Sequence, residues 1–123
     1  MKDLTLSEWL TSTQERRDEL DAYGKSPLPA DAGERHADIE KAIQSADDSG
    51  RLLADAESYL TQAEALAVFS VRKDHPEITA REREIVARAV VRDVQRLVEG
   101  VRTTNRTINQ RIFVIQNANR SRL

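Results

Sequence analysis

The chain has 123 residues, a formal charge of −2 at pH 7, 33% charged and 4% aromatic residues, four Gly, three Pro and no Cys. That length suits one domain with a continuous core and is short for a two-domain enzyme. The lack of Cys removes disulfides, thiolate nucleophiles and cysteine metal sites, and no run approaches the roughly 18 to 20 consecutive apolar residues that span a bilayer. With so few aromatic residues the core falls to Ala, Val, Leu and Ile. Small aliphatics, many charges and little Gly or Pro predict an all-α fold.

The first predicted helix runs from about residue 5 to 23. Thr5 followed by Glu8 forms a capping box, and Leu4 with Trp9 has the spacing of a hydrophobic staple. Its apolar stripe is thin: Leu6, Trp9, Leu10, Thr13, Leu20 and Tyr23. Gly24 is read as a left-handed stop. The following segment Lys25-Ser26-Pro27-Leu28-Pro29-Ala30 is a connection, because its two prolines lack amide donors and push the preceding residues toward extended backbone.

The second helix is predicted over 32–72, opened by Asp31 and Glu34. Its buried face is expected to hold Ile39, Ala42, Ile43, Ala46, Leu53, Ala56, Leu60, Ala63, Leu66 and Ala67, at spacings of three and four. Gly50 within it costs about 1 kcal/mol relative to Ala, less than the burial of two or three aliphatic side chains returns, so the helix is read as continuous through Asp47-Asp48-Ser49-Gly50. His75-Pro76 marks the next turn.

The third helix is predicted over 80–117, opened by Thr79 and Glu82. Its stripe is Val86, Val90, Val94, Leu97, Val101, Ile108, Ile112 and Ile115, broadened by Ile85, Ala89 and Val98. Its second half, with Thr103, Thr104, Asn105, Thr107, Asn109, Asn117 and Asn119, is made of mediocre helix formers, and either fraying or a partner is expected to decide that end. Residues 118–123 are expected to be a basic tail leading on to a further region. The whole is expected to be an antiparallel up-down-up three-helix bundle with long second and third helices.

Charge is unevenly spread along these elements. Residues 1–71 hold seven Lys or Arg against fifteen Asp or Glu, a balance of −8; residues 72–123 hold twelve against six, a balance of +6. A basic final helix lying beside acidic earlier ones accounts for this within one domain. Binding of nucleic acid through Arg106 and Arg111 is a more remote reading, since no aromatics are interleaved for base stacking.

Enzyme chemistry has no visible constellation. His36 and His75 stand apart and in no metal-binding pattern, and there is no glycine-rich phosphate loop and no nucleophile elbow. The expectation is a non-catalytic chain with no cofactor, no metal and no small-molecule substrate.

The stretch beginning Leu53-Ala-Asp-Ala-Glu-Ser-Tyr-Leu-Thr-Gln-Ala-Glu-Ala-Leu, the turn at His75-Pro76, then Ile78-Thr-Ala-Arg-Glu-Arg-Glu-Ile and Arg88-Ala-Val-Val-Arg-Asp-Val carry a resemblance. Together with Gln14-Glu-Arg-Arg-Asp-Glu-Leu20, they resemble the N-terminal domain of the syntaxin 6 and syntaxin 10 class of Qc-SNAREs. His75 stands where that family commonly has Asn. The resemblance implies a regulatory domain on the cytoplasmic face of Golgi, trans-Golgi network or endosomal membranes, acting in vesicle fusion. Implied partners are other SNARE proteins and tethering-complex subunits, with a C-terminal membrane anchor outside this chain. Leu4 and Leu6, which echo the family's aromatic N-terminal segment, and Arg92 and Arg96, as rim charges of an interhelical groove, are the candidate partner-binding residues. The alternative is a stand-alone helical secretion chaperone or adaptor.

Overall fold

The computed structural model describes residues 6–120, apart from the side chains of Leu6, Glu64, Asn119 and Arg120. Leu4, the Thr5–Glu8 cap, the Leu4–Trp9 staple and residues 121–123 lie outside the described residues. The fold is all-α: α1 spans Leu6–Lys25, α2 Ala32–Asp74 and α3 Ala80–Arg120. At 1.5 Å per residue, α2 and α3 are each about 60 to 65 Å long.

Two starts are capped as their sequences require. Asp31 is the N-cap of α2, its carboxylate accepting from the Glu34 amide at 3.0 Å. At α3, the Glu82 amide donates to the Thr79 hydroxyl at 3.2 Å, and the Thr79 amide donates to the Glu82 carboxylate at 3.4 Å. Both satisfy amides that no preceding turn can reach.

Gly24 behaves differently from expectation. The helix runs through it to Lys25, and no glycine has a positive φ. Gly24 serves close approach instead: a β-carbon there would stand 3.2 Å from Ile108 Cγ1 and 3.3 Å from Thr107 Cγ2. Gly50 leaves α2 unbroken and faces Asn105 on α3.

Residue pairs trace how the helices lie together. Between α1 and α2, Trp9 stacks on Tyr59 with ring centroids 3.8 Å apart, Arg16 pairs with Asp48 at 3.2 Å, and the Tyr23 hydroxyl donates to Asp38 at 2.9 Å. Positions therefore rise on α1 as they fall on α2. Between α2 and α3, Glu57 meets Arg102, Ser49 meets Asn105 and Asp38 meets Arg111, again in opposite order. Between α1 and α3 they rise together, with Asp21 accepting from Thr104 and Gly24 against Ile108.

The core alternates small and branched residues across the α2–α3 seam. Ala42, Ala56, Ala63 and Ala67 of α2 are buried, as are Val94, Val98, Val101, Ile108 and Ile115 of α3. Alanine on one helix lets the β-branched side chains of the other seat deeply, which favours close packing along a long seam. Ala56, Ala63, Val94 and Val98 form the central cluster, with Trp9, Leu10, Tyr59 and Leu60 packed against it.

Several residues assigned to the buried stripe lie outside it. Ile43 is 53% exposed and Leu66 36%; on α3, Ile85, Val86 and Ala89 are exposed. Ile43 neighbours the buried Ala42, and a step of one residue turns a helix by about 100°, so a stripe read at spacings of three and four can place its edge on the wrong side. Buried Ala87, next to Val86, corrects the α3 phase in the same way.

The polar half of α3 is a packed helix and not a fraying one. It continues to Arg120, and Thr104 is 1% exposed. Thr104 donates to Asp21, while Asn105 donates to Ser49 at 2.8 Å and Ser49 donates to the Ala46 carbonyl at 3.0 Å. These residues are poor helix formers in isolation, but tertiary hydrogen bonds outweigh a propensity deficit of a few tenths of a kcal/mol each. Arg111 is also buried, so it is a structural residue and not part of an exposed basic surface.

Candidate helix-docking site

The surface between α2 and α3 is set by a short run of α3. Arg92, Gln95, Arg96, Glu99 and Arg102 recur at three and four residues, which places them along one helix flank. With Leu60 of α2 and the buried Val98, they line an open groove of about 540 Å³. Apolar Leu60 and Val98 lie toward the seam, whereas the arginines stand on the outer edge.

Arg102 is held in place by two carboxylates. It donates to Glu99 at 2.6 Å on its own helix and to Glu57 at 3.3 Å across the seam, and these neighbours raise its pKa, the Glu57 hydrogen bond most. Arg92 and Arg96 are exposed and form no ion pair among the described residues. The groove's charge excess is therefore carried by Arg92 and Arg96.

Arg96 stands on a ridge between two grooves. The second, between α1 and α3, has a volume of about 440 Å³ and is lined by Leu10, Thr11, Gln14, Glu15, Asp93, Arg96 and Leu97. Glu15 and Asp93 offset the arginine there, so this groove is electrostatically mixed. It is also lined by residues of α1, whose own seat depends on few buried side chains, Thr13 and Leu20 among them.

Far from both grooves, a polar clasp secures the start of α2. Arg111 donates through Nε to Asp38 at 3.0 Å and through its other nitrogens to the Ser26 and Pro27 carbonyls. Its guanidinium lies 4.7 Å from the centre of the Tyr23 ring, and Lys41 Nζ lies 4.8 Å from that centre. Burial, then the Asp38 hydrogen bond, push the Tyr23 hydroxyl pKa up to about 12. Arg35, also buried, donates to the Pro29 and Ala30 carbonyls. The proline-rich connection is thus fastened by two arginines, because its carbonyls have no regular partners.

The candidate residues distribute unevenly. Arg92 and Arg96 share the α2–α3 groove. Leu4 and the Leu6 side chain fall outside the described residues. Gln95, Glu99, Arg102 and Leu60 were not among the candidates, although the helical spacing from Arg92 to Arg102 already put the first three on one flank of a helix with Arg92 and Arg96. His36 and His75 are exposed, with His75 Nδ1 3.4 Å from Glu77. Among the described residues, no group of three or more His, Cys, Asp or Glu is placed to hold a metal ion, and no helix is long and apolar enough to cross a membrane.

The class defined at this level is a helical bundle with open interhelical grooves. The chain matches no protein-family model, and no curated protein and no solved structure is significantly similar to it.

Proposed function

We propose that this chain is a non-catalytic interaction module whose α2–α3 groove receives a partner helix, in the manner of a SNARE N-terminal regulatory domain of the syntaxin 6 and syntaxin 10 class. The observation that carries the reading is the groove itself: Leu60 and Val98 at its base, with Arg92 and Arg96 on its rim in no ion pair among the described residues. The order of residue pairs between helices supports an antiparallel up-down-up bundle, the architecture this function requires. An amphipathic helix enters such a groove by laying apolar residues at i, i+3, i+4 and i+7 on the base and acidic residues against the rim. The run from Arg92 to Arg102 spans about 15 Å, three helical turns of contact.

In this reading the partners are SNARE helices or tethering-complex subunits, the work is regulation of vesicle fusion, and the site of action is the cytoplasmic face of Golgi or endosomal membranes. The SNARE assignment is supported by the sequence resemblance, and the helix-docking mode by the groove.

Fluorescence anisotropy with labelled SNARE-motif peptides of that class tests both levels. Binding at micromolar concentration, weakened at least tenfold by Arg92→Glu with Arg96→Glu, is the expected result. Absence of binding to any such peptide overturns the SNARE reading. Binding unaffected by the double substitution overturns the groove as its site.

A further inference from the structure

The two halves of α1 are held in different ways. Toward its C-terminal end Leu20 is buried, Asp21 accepts from Thr104, the Tyr23 hydroxyl donates to Asp38, and Gly24 brings the backbone against Ile108. Leu20 is the one buried apolar side chain that α1 contributes among the described residues. From Trp9 to Arg17 the seat is shallower. Thr13 is the buried side chain of this stretch, Trp9 and Leu10 are partly exposed, and Thr11, Ser12, Gln14, Glu15 and Arg16 are exposed. The open groove of about 440 Å³ runs between this stretch and α3, with Leu10 and Gln14 on one wall and Asp93 and Leu97 on the other. On the α2 side, the Arg16–Asp48 pair leaves its side chains 47% and 30% exposed, and an ion pair so open to water contributes little.

Arg17 weakens the closed position further. Its Nη1 donates to Asp18 on its own helix, whereas Nε lies over Gly100, buried and without a hydrogen-bond partner among the described residues. A buried donor without an acceptor favours any state in which water reaches it. Once off its seat, so short a stretch, with Thr11, Ser12 and Thr13 in it, does not hold a helix by itself. Lifting and unwinding are then one event. The α2–α3 seam keeps its own buried residues, Ala56 and Ala63 against Val94 and Val98, whether or not α1 is in place.

We infer that the Trp9–Arg17 stretch of α1 is a strap that opens and closes on an α2–α3 hairpin that stays folded, hinged at the Leu20–Gly24 anchor. Each opening takes Trp9 and Leu10 off the Ala56–Ala63–Val94–Val98 cluster and bares Tyr59 and Leu97. The α1–α3 groove thereby changes from a shallow cleft to an open apolar face. The strap does not depend on the function given to the Arg92–Arg96 groove.

Native-state hydrogen exchange of the full chain, read residue by residue by NMR in low urea, tests it. The amides of Thr13 to Arg17, bonded to carbonyls four residues back within the stretch, are expected to exchange at least about a hundredfold faster than those of Val94 to Val101, at a rate that varies little with urea. The amides of Tyr23 to Lys25, bonded to carbonyls of the anchored half, stay slow. Arg17→Lys puts a methylene where Nε stands and keeps the charge, and slows exchange of the stretch about tenfold. Equal protection of Thr13–Arg17 and Val94–Val101 overturns the proposal, as does an α1 whose amides from Thr13 to Lys25 all exchange together. Exchange that is unchanged or faster in Arg17→Lys overturns the part given to Arg17.

Discussion

Arg111 and Asp38 form an ion pair at 3.0 Å in which the two side chains are only 5% and 9% exposed, joining the second half of α3 to the first turns of α2. The remaining donors of the guanidinium close on the α1–α2 connection, and the Asp38 carboxylate also accepts from Tyr23. All three helices and one connection meet at this pair.

Removing one partner leaves the other buried without compensation. Arg111→Met is expected to cost about 3 to 5 kcal/mol in urea unfolding, because Asp38 then lacks its cation and the Ser26 and Pro27 carbonyls lack their donor. Arg111→Met combined with Asp38→Leu should cost less than the sum of the two single changes. Strict additivity would mean that the pair is not energetically coupled.

Tyr23 links this cluster to pH. Its folded-state pKa of about 12 lies above the ordinary value of 10, so the folded protein holds the proton more tightly than the unfolded chain. The associated stability is complete below pH 10 and is lost as pH rises from 10 toward 12. Thermal unfolding followed across that window should fall more steeply for the wild type than for Tyr23→Phe. Parallel curves would place the tyrosine outside the linkage.

Two glycines in helix interiors should respond oppositely to alanine. Gly50 has only Asn105 Nδ2, at 3.8 Å, near a prospective β-carbon, so Gly50→Ala is expected to stabilise by about 0.5 to 1 kcal/mol through helix propensity. At Gly24 the same methyl meets Ile108 and Thr107 at 3.2 and 3.3 Å, and α1 must shift from α3 to admit it. Gly24→Ala is therefore expected to be destabilising. Equal gains at both positions in denaturant titrations would contradict the close approach of α1 to α3.

Leu97 and Trp9 test the two ways the helices are held together. Leu97→Ala in the buried α3 face should cost about 2 to 5 kcal/mol. For Trp9 and Tyr59, stacked with an interplanar angle of 5°, a double-mutant cycle to Ala should give a coupling of about 0.5 to 1.5 kcal/mol. A Leu97→Ala effect below half a kcal/mol would remove it from the core, and a zero coupling would make the stack a consequence of packing alone.

The helical class and the approximate limits of the elements were legible in the sequence, because caps, prolines and hydrophobic period are local properties. Asp31, Thr79 and Pro76 act within a few residues of where they stand. Arg92 and Arg96 could be placed on one flank for the same reason, since helical spacing is set by the backbone. What the sequence by itself determined is thus an α-helical chain with long second and third helices and a basic final one.

Tertiary structure decided which edge of each stripe is buried. Ala42 packs inside while its neighbour Ile43 faces solvent, and the choice depends on the angle at which another helix arrives. It also reversed the reading of Gly24 and gave the polar half of α3 its packing partners. Gly24 is needed for what lies across from it, and Thr104, Asn105 and Arg111 find partners 56 to 85 residues away in sequence. A residue's local preference is worth tenths of a kcal/mol, whereas leaving a buried hydrogen-bonding group or charge without its partner costs about 1 to 5 kcal/mol, so distant partners override local tendency where the helices meet.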